Sequence, residues 1–164
     1  MNLEGRALVI RQDDVDTDVL YPGQFLNVTD VDKMTAHLFE GLDPTLRDEL
    51  GGDTALVVGS NFGTGSSREH VPQAMAASGI RFVVGKSFAR IFYRNCINLG
   101  LPAVIAPDAV EAASPGSALE LDLDEGTVRV DGRVFAINPV PAFLREMFAA
   151  GGLVPWMKRR FTAA

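Results

Sequence analysis

A glycine-bearing loop between a buried strand and a helix is the feature that most constrains the fold of this chain. The apolar run Ala55–Val58 precedes it, the loop reads Gly63-Thr64-Gly65-Ser66-Ser67-Arg68-Glu69-His70, and a helical segment over 72–78 follows. A strand, a loop and a helix in this order form a unit of α/β folds, and the helix start directs backbone N–H groups at an anion. The sequence therefore predicts an anion-binding loop.

Pro72 limits where the helix after this loop can begin. Proline is tolerated only in the first turn, where its missing N–H has no partner within the helix. We therefore expect the first helical residue near Arg68 or Glu69. Ser66 and Ser67 would then lie at the positive end of the helix dipole.

The residues of the loop exclude three established motifs. A P-loop ends in Gly-Lys-Ser/Thr, and a dinucleotide loop needs a third glycine where Arg68 stands. A nucleophile elbow needs a serine between two glycines, which is absent. Two interpretations remain: an ordinary serine-capped helix, or a catalytic site in which N–H donors and Arg68 stabilise a serine alkoxide. Arg68 could instead, or also, hold a substrate carboxylate.

Strand and helix signals alternate along most of the chain and then give way to strands. Strands are predicted over 5–10, 54–59, 81–85, 101–106, 118–123, 127–130 and 133–136, and helices over 30–40, 44–50, 72–78, 87–99, 108–113 and 141–150. Asp131-Gly132 is a strong hairpin signal between the last two strands. The 164 residues suffice for one domain with a real core. We predict one α/β domain over 1–164 with mixed parallel and hairpin strands.

Potential metal ligands are too few for a metal centre built from this chain alone. Cys96 is the only cysteine, and the two histidines share no metal-ligand spacing. The aspartates of Asp13–Asp18 suggest a calcium loop, but Asp18 and Gln24 stand where that loop needs glycine and glutamate. Any metal chemistry must therefore come from outside this chain.

The segment 87–99 is predicted to be a helix capped by Ser87. Its apolar face is expected to consist of Phe88, Ile91, Phe92, Cys96 and Leu99. Cys96 is therefore interpreted as a core residue rather than a reactive thiol. Arg90 and Arg94 fall on another face of this helix. They are expected to be surface charges, with contact to a substrate or partner as the alternative.

Charge and hydropathy disfavour two classes of partner. The formal charge is −6 and the only basic run is Lys158–Arg160, which argues against nucleic acid. That run is expected to be a solvated end, with a contact to an acidic partner as the alternative. No apolar run approaches the roughly 20 residues that cross a bilayer, and residues 1–6 lack a signal-peptide pattern. We therefore expect a cytoplasmic location.

Four stretches, in this order, carry a resemblance to one known family. They are Asp14–Asp18, Pro22-Gly23, Asn61–His70 and Ser87–Asn95. Over essentially the whole chain the sequence resembles the small subunit of 3-isopropylmalate dehydratase, a member of the aconitase superfamily. The resemblance implies a single three-layer β/β/α swivelling domain that works with a separate large subunit.

The resemblance also implies how the site would work. The large subunit would bind a [4Fe–4S] cluster through three cysteines, with none bound by this chain, and its open iron would act as a Lewis acid. Ser66 would abstract the proton beside a carboxylate, and Arg68 would bind a substrate carboxylate with support from Ser67. Asp18 would be an active-site aspartate, with Thr17 beside it in contact with the substrate. The reaction would be a reversible dehydration and rehydration of a small dicarboxylate or tricarboxylate.

Two positions depart from the family pattern. Thr64 stands where the bacterial leucine-pathway subunits commonly have cysteine. Asn27 is the third residue of the segment 25–28, which matches the substrate-selecting segment of this family. Members with arginine at that position act on substrates that have a distal carboxylate, and members with an aliphatic residue act on substrates that have an isopropyl group. An amide cannot supply the charge that a remote carboxylate needs, which favours isopropylmalate. The alternative substrates are homoaconitate, dimethylmalate and a methylcitrate-like acid. The alternative function is a non-catalytic module that binds a carboxylate.

Overall fold

A curled mixed β-sheet forms the centre of the computed structural model, which describes residues 1–162. Its strands are β1 Asn2–Ile10, β2 Thr54–Val58, β3 Ile80–Gly85, β4 Ala103–Ile105, β5 Ala118–Asp122, β6 Thr127–Val130 and β7 Arg133–Ala136. In the described residues the order is β4-β3-β2-β1-β5-β6-β7. β1 to β4 run parallel, whereas β5 pairs antiparallel with β1 and continues into the β6–β7 hairpin. The predicted α/β class is confirmed.

The helices are short and connect or flank the strands. They are α1 Thr17–Leu20, α2 Val31–Met34, α3 His70–Ala77, α4 Arg90–Asn98, α5 Pro107–Ala112, α6 Ala142–Ala150 and α7 Leu153–Thr162. Single 3₁₀ segments cover Gly23–Phe25, Thr35–His37 and Pro44–Glu49. None of the helices described for this chain is long and apolar enough to cross a membrane.

Apolar side chains pack against both faces of the parallel strands. Because successive strand residues point to opposite faces, Leu56 and Val58 join one core with α2, α3 and α4, while Ala55 and Val57 join another. In the second core, side chains of β5 and β6 pack with those of β2 and β3. The sheet therefore folds over on itself, which gives the expected β/β/α layering.

The helix expected over 30–40 is broken in the structure. α2 ends at Met34, and the 3₁₀ segment that follows stops before Phe39. Phe39 has a φ of +64°, and its N–H donates to the Leu20 carbonyl oxygen at 2.7 Å. A positive φ cannot continue a right-handed helix, so this long-range hydrogen bond overrides the helical pattern.

The helix expected to begin at Ser87 begins at Arg90 instead. The Ser87 hydroxyl accepts a hydrogen bond from the Asn61 N–H at 2.7 Å, so it joins two loops and does not cap the helix. Ile91, expected on the apolar face, is 47% exposed. Cys96 is fully buried, as expected, and burial raises the pKa of its thiol.

The basic run Lys158–Arg160 lies on a helix that the sequence reasoning missed. α6 ends at Ala150, as expected, and is followed by Gly151 with a φ of +92°. The chain then enters α7, whose first turn contains Pro155, a position where proline is tolerated. The basic side chains are exposed as expected, but they belong to regular structure.

Gly63 determines how the loop after β2 packs against α4. Its φ is +85°, and a Cβ built on it would lie 2.3 Å from Cγ of Phe92. The Phe92 ring in turn packs edge-on against Phe62, with ring centroids 5.3 Å apart. Glycine is therefore required here by both the backbone conformation and the space.

We expect Gly63→Ala to lower the free energy of unfolding by more than Gly116→Ala. Both glycines have a similar positive φ, which costs an alanine about 1 kcal/mol, but no described atom lies within 4 Å of a Cβ at Gly116. Overpacking against Phe92 adds a further ~2 kcal/mol at Gly63. Urea unfolding of the two variants measures the difference, and equal losses would contradict the steric argument.

Candidate active site

The loops that follow β1, β2 and β3 meet at the carboxyl edge of the parallel strands. Asp13 accepts a hydrogen bond from the Ser60 N–H at 2.8 Å, and Asp14 accepts one from the Asn61 side-chain amide at 2.8 Å. The loop after β3 is joined by the bond from the Asn61 N–H to Ser87. Ligands of open α/β sheets bind at this edge, so the loops are placed where a site is expected.

Asp16 and Gly65 bring the loops after β1 and β2 into closest contact. The Thr17 N–H donates to the Thr64 carbonyl oxygen at 2.8 Å. Asp16 caps α1 by accepting from the Asp18 N–H at 2.6 Å. A Cβ at Gly65, which has a φ of +95°, would lie 2.6 Å from an Asp16 carboxylate oxygen. Only glycine therefore allows this approach.

The aspartate-rich segment and Cys96 do not form a metal centre. Asp13, Asp14 and Asp16 accept hydrogen bonds from protein N–H groups. Throughout residues 1–162, no group of three or more His, Cys, Asp or Glu side chains is placed to hold a metal ion. Cys96 is enclosed in the core and its raised pKa keeps the thiol protonated. These donors do not fit an iron–sulfur cluster.

Arg68 is oriented by two residues of the segment after β1. One of its terminal nitrogens, Nη1, pairs with the Asp18 carboxylate and donates to the Tyr21 carbonyl oxygen at 3.2 Å. The Arg68 side chain is 17% exposed and that of Asp18 is 63% exposed. A guanidinium has five N–H donors, more than these contacts use. Arg68 is therefore fixed in place with donors left for a planar carboxylate.

Ser66 and Ser67 are exposed in the loop before α3. The buried Thr17 holds the loop by donating its hydroxyl to the Ser66 carbonyl oxygen at 3.3 Å. α3 begins at His70, one residue beyond the expected start, and its N-cap is Glu69, which makes no side-chain cap hydrogen bond. Neither serine caps the helix, so the interpretation as an ordinary serine-capped helix is wrong.

Asn27 lies in an exposed turn beyond Arg68. The Phe25 carbonyl oxygen accepts from the Val28 N–H at 3.0 Å, so the turn presents Leu26 and Asn27 at its centre. The chain just before this segment lies beside the arginine, since a Cβ at Gly23 would lie 3.2 Å from the Arg68 Nη2 atom. The expected selecting segment thus begins two residues after a glycine that lies against Arg68.

The structure brings some of the candidate residues together and leaves others apart. Thr17, Asp18, Ser66 and Arg68 are linked by the contacts above. Arg90 and Arg94 are exposed on α4, as expected for surface charge.

Tyr21 was missed by the sequence reasoning. It is fully buried, its carbonyl oxygen accepts from Arg68, and its hydroxyl donates to the Phe25 carbonyl oxygen at 2.9 Å. The sequence shows only an aromatic residue before a Pro-Gly turn, which gives no signal for these contacts.

Comparison with known proteins connects this arrangement to one family. The family model of the aconitase C-terminal domain matches residues 48–108, which run from before β2 to α5 and include the loop 63–70. In Methanopyrus kandleri, a 3-isopropylmalate dehydratase small subunit is 46% identical over 159 residues, covering 96% of this chain and 93% of the relative.

Two further relatives extend the comparison. The 2,3-dimethylmalate dehydratase small subunit of Eubacterium barkeri is 42% identical over 147 residues, covering 88% of this chain and 90% of the relative. The crystal structure of 3-isopropylmalate dehydratase from Methanocaldococcus jannaschii superposes with a TM-score of 0.91 at 38% identity, covering 99% of this chain and 97% of that one. The chain therefore belongs to the 3-isopropylmalate dehydratase small-subunit family and has its aconitase C-terminal, swivelling fold.

Proposed function

We propose that this chain is the small subunit of a hydro-lyase that interconverts 2-isopropylmalate and 3-isopropylmalate, as in leucine biosynthesis, together with a large subunit. The observation that carries the proposal is the loop 63–68, in which exposed serines adjoin an arginine oriented by Asp18 and Tyr21. The names of the relatives, which are small subunits of dehydratases, support both the chemistry and the partner.

In this proposal Arg68 binds the substrate and Ser66 transfers the proton. Arg68 binds a substrate carboxylate, and its positive charge stabilises the negative charge that develops when the adjacent C–H bond loses its proton. Ser66, in its alkoxide form, accepts that proton and becomes the neutral hydroxyl, and by microscopic reversibility it returns a proton during rehydration. Ser67 supports the carboxylate, and Thr17 contributes by anchoring the Ser66 backbone.

The leaving hydroxyl needs a Lewis acid, and among residues 1–162 no group of three or more His, Cys, Asp or Glu side chains is placed to hold a metal ion. The described residues do not fit a metal or cluster, because the sole thiol is buried. A [4Fe–4S] cluster on the large subunit would supply the Lewis acid for that hydroxyl. The site would thus be completed only when the two subunits meet.

The substrate is proposed from the turn that carries Asn27. Leu26 and Asn27 are both exposed there and neither is charged, which suits an alkyl group better than a distal carboxylate. Isopropylmalate is therefore the first candidate. 2,3-Dimethylmalate is the second, because a small subunit that is named for it is nearly as similar to this chain.

We expect activity only after this chain is combined with a large subunit under anaerobic conditions. The measurement is the absorbance of the alkene intermediate with 2-isopropylmalate or 2,3-dimethylmalate, using each subunit alone as the control. The large subunit of the M. kandleri relative is a suitable probe, because its small subunit is 46% identical to this chain. Tight binding of dicarboxylates by this chain alone, without turnover in any mixture, would support a binding module and contradict the proposal.

Ser66→Ala is expected to lower kcat about 10²- to 10⁴-fold, the usual contribution of a positioned proton acceptor. Association with the large subunit should be unchanged, because the substitution removes only an exposed hydroxyl. Ser114→Ala, in the exposed loop after α5, serves as the matched control and should retain full activity. Wild-type rates in Ser66→Ala would end its assignment as the base.

Asn27→Arg is expected to shift the preference toward acids with a distal carboxylate by about tenfold or more in kcat/KM. The physical reason is that arginine brings a charge to the centre of the exposed turn. Asn138→Arg adds the same charge at an exposed position after β7 and controls for a general electrostatic effect. An unchanged ratio for isopropylmalate and homoaconitate would mean that this turn does not select the substrate.

A further inference from the structure

Tyr21 links the residue proposed to bind the carboxylate to the turn proposed to select the substrate. Its backbone carbonyl oxygen accepts from Arg68 Nη1 at 3.2 Å, and its side-chain hydroxyl donates to the Phe25 carbonyl oxygen at 2.9 Å. The side chain is fully buried. One residue therefore contacts both parts of the site through different groups.

The hydrogen bond from Tyr21 acts at the atom that closes the turn. The Phe25 carbonyl oxygen also accepts from the Val28 N–H at 3.0 Å, and this bond defines the turn over Leu26 and Asn27. A carbonyl oxygen has two lone pairs, and here both have a donor. The hydroxyl therefore fixes the orientation of the carbonyl on which the turn depends.

The ring of Phe25 is held on its other side. It stacks on His37 with ring centroids 3.7 Å apart and an interplanar angle of 10°. His37 in turn contacts Glu40 through Nδ1 at 2.9 Å. Tyr21 packs edge-on against both Phe25 and His37. The turn is thus attached to the body of the protein at its backbone and at its first side chain.

Burial raises the pKa of the Tyr21 hydroxyl above its ordinary value. A phenol stays neutral below its pKa, so a raised pKa extends the range over which the hydroxyl remains protonated. An ordinary tyrosine is already protonated at neutral pH, so the hydroxyl is available as a hydrogen-bond donor to Phe25 there.

We infer that Tyr21 is a positioning residue for substrate selection: its hydroxyl sets the turn that carries Leu26 and Asn27 relative to the guanidinium of Arg68. The distance between the bound carboxylate and the variable group of the substrate depends on this link. The effect on substrate selection rests on the proposed function. The placement of the turn by Tyr21 does not, because it depends only on contacts within this chain.

The first test measures how well the backbone amides of the turn are protected in the isolated chain. Amide hydrogen exchange of the isolated chain should show faster exchange in 23–28 for Tyr21→Phe, by about threefold to tenfold, which corresponds to one hydrogen bond. The ring stays in place, so strand amides should keep their protection. Tyr93→Phe, at the only other tyrosine, is the matched control and should leave 23–28 unchanged. Unchanged exchange in Tyr21→Phe would overturn the positioning role.

The second test measures selection in the reconstituted enzyme. Tyr21→Phe should change the ratio of kcat/KM for isopropylmalate and 2,3-dimethylmalate by about threefold to tenfold, through KM, with kcat for the better substrate nearly kept. His37→Ala, which removes the ring under Phe25, should shift the ratio in the same direction and covers the case in which Tyr21→Phe does not fold. An unchanged ratio despite faster exchange would overturn the role in selection. Absence of turnover in the wild type would instead refute the proposed function, while the exchange result still decides the positioning.

Discussion

Carboxylate side chains that accept hydrogen bonds from neighbouring segments hold the candidate site together. Four aspartates within six residues would repel one another if each pointed into solvent, but each has a different donor. Asp13 and Asp14 accept from the loop after β2, Asp16 accepts from the start of α1, and Asp18 pairs with Arg68. Asp13, Asp14 and Asp18 therefore join this segment to the residues that follow β2, and Asp18 orients the arginine together with the Tyr21 carbonyl oxygen.

The loop after β2 can approach the neighbouring segments closely because two of its residues are glycines. Gly63 lies against Phe92 and Gly65 lies against Asp16, both with positive φ. These two contacts hold the backbone on either side of Thr64. Preorganisation of this kind matters because donors that are already oriented need not reorganise during the reaction. The exposed serines thus follow directly on a backbone segment that is closely packed at both glycines.

Sequence patterns predicted those parts of the fold that depend on local rules. The alternation of strands and helices, the Asp131-Gly132 turn and the burial of Cys96 follow from such rules, and the structure confirms them. The break at Phe39, the bond from Asn61 to Ser87 and the contacts of Tyr21 depend on residues distant in the chain. No local pattern encodes them. Within the site, the loop 63–70 was recognisable from sequence, whereas the support that orients Arg68 became visible only in three dimensions.

The position of β1 in the sheet determines which strands lie beside the candidate site. β1 is the boundary strand: it pairs parallel with β2 on one side and antiparallel with β5 on the other. All the proposed site residues lie on segments that follow the parallel strands β1 and β2, and none of them lies on the described part of the antiparallel half. β5 to β7 are therefore separated from β2 and the loop 63–70 by the complete strand β1. The candidate site is thus built on one half of the sheet, while the antiparallel half contributes core side chains from β5 and β6.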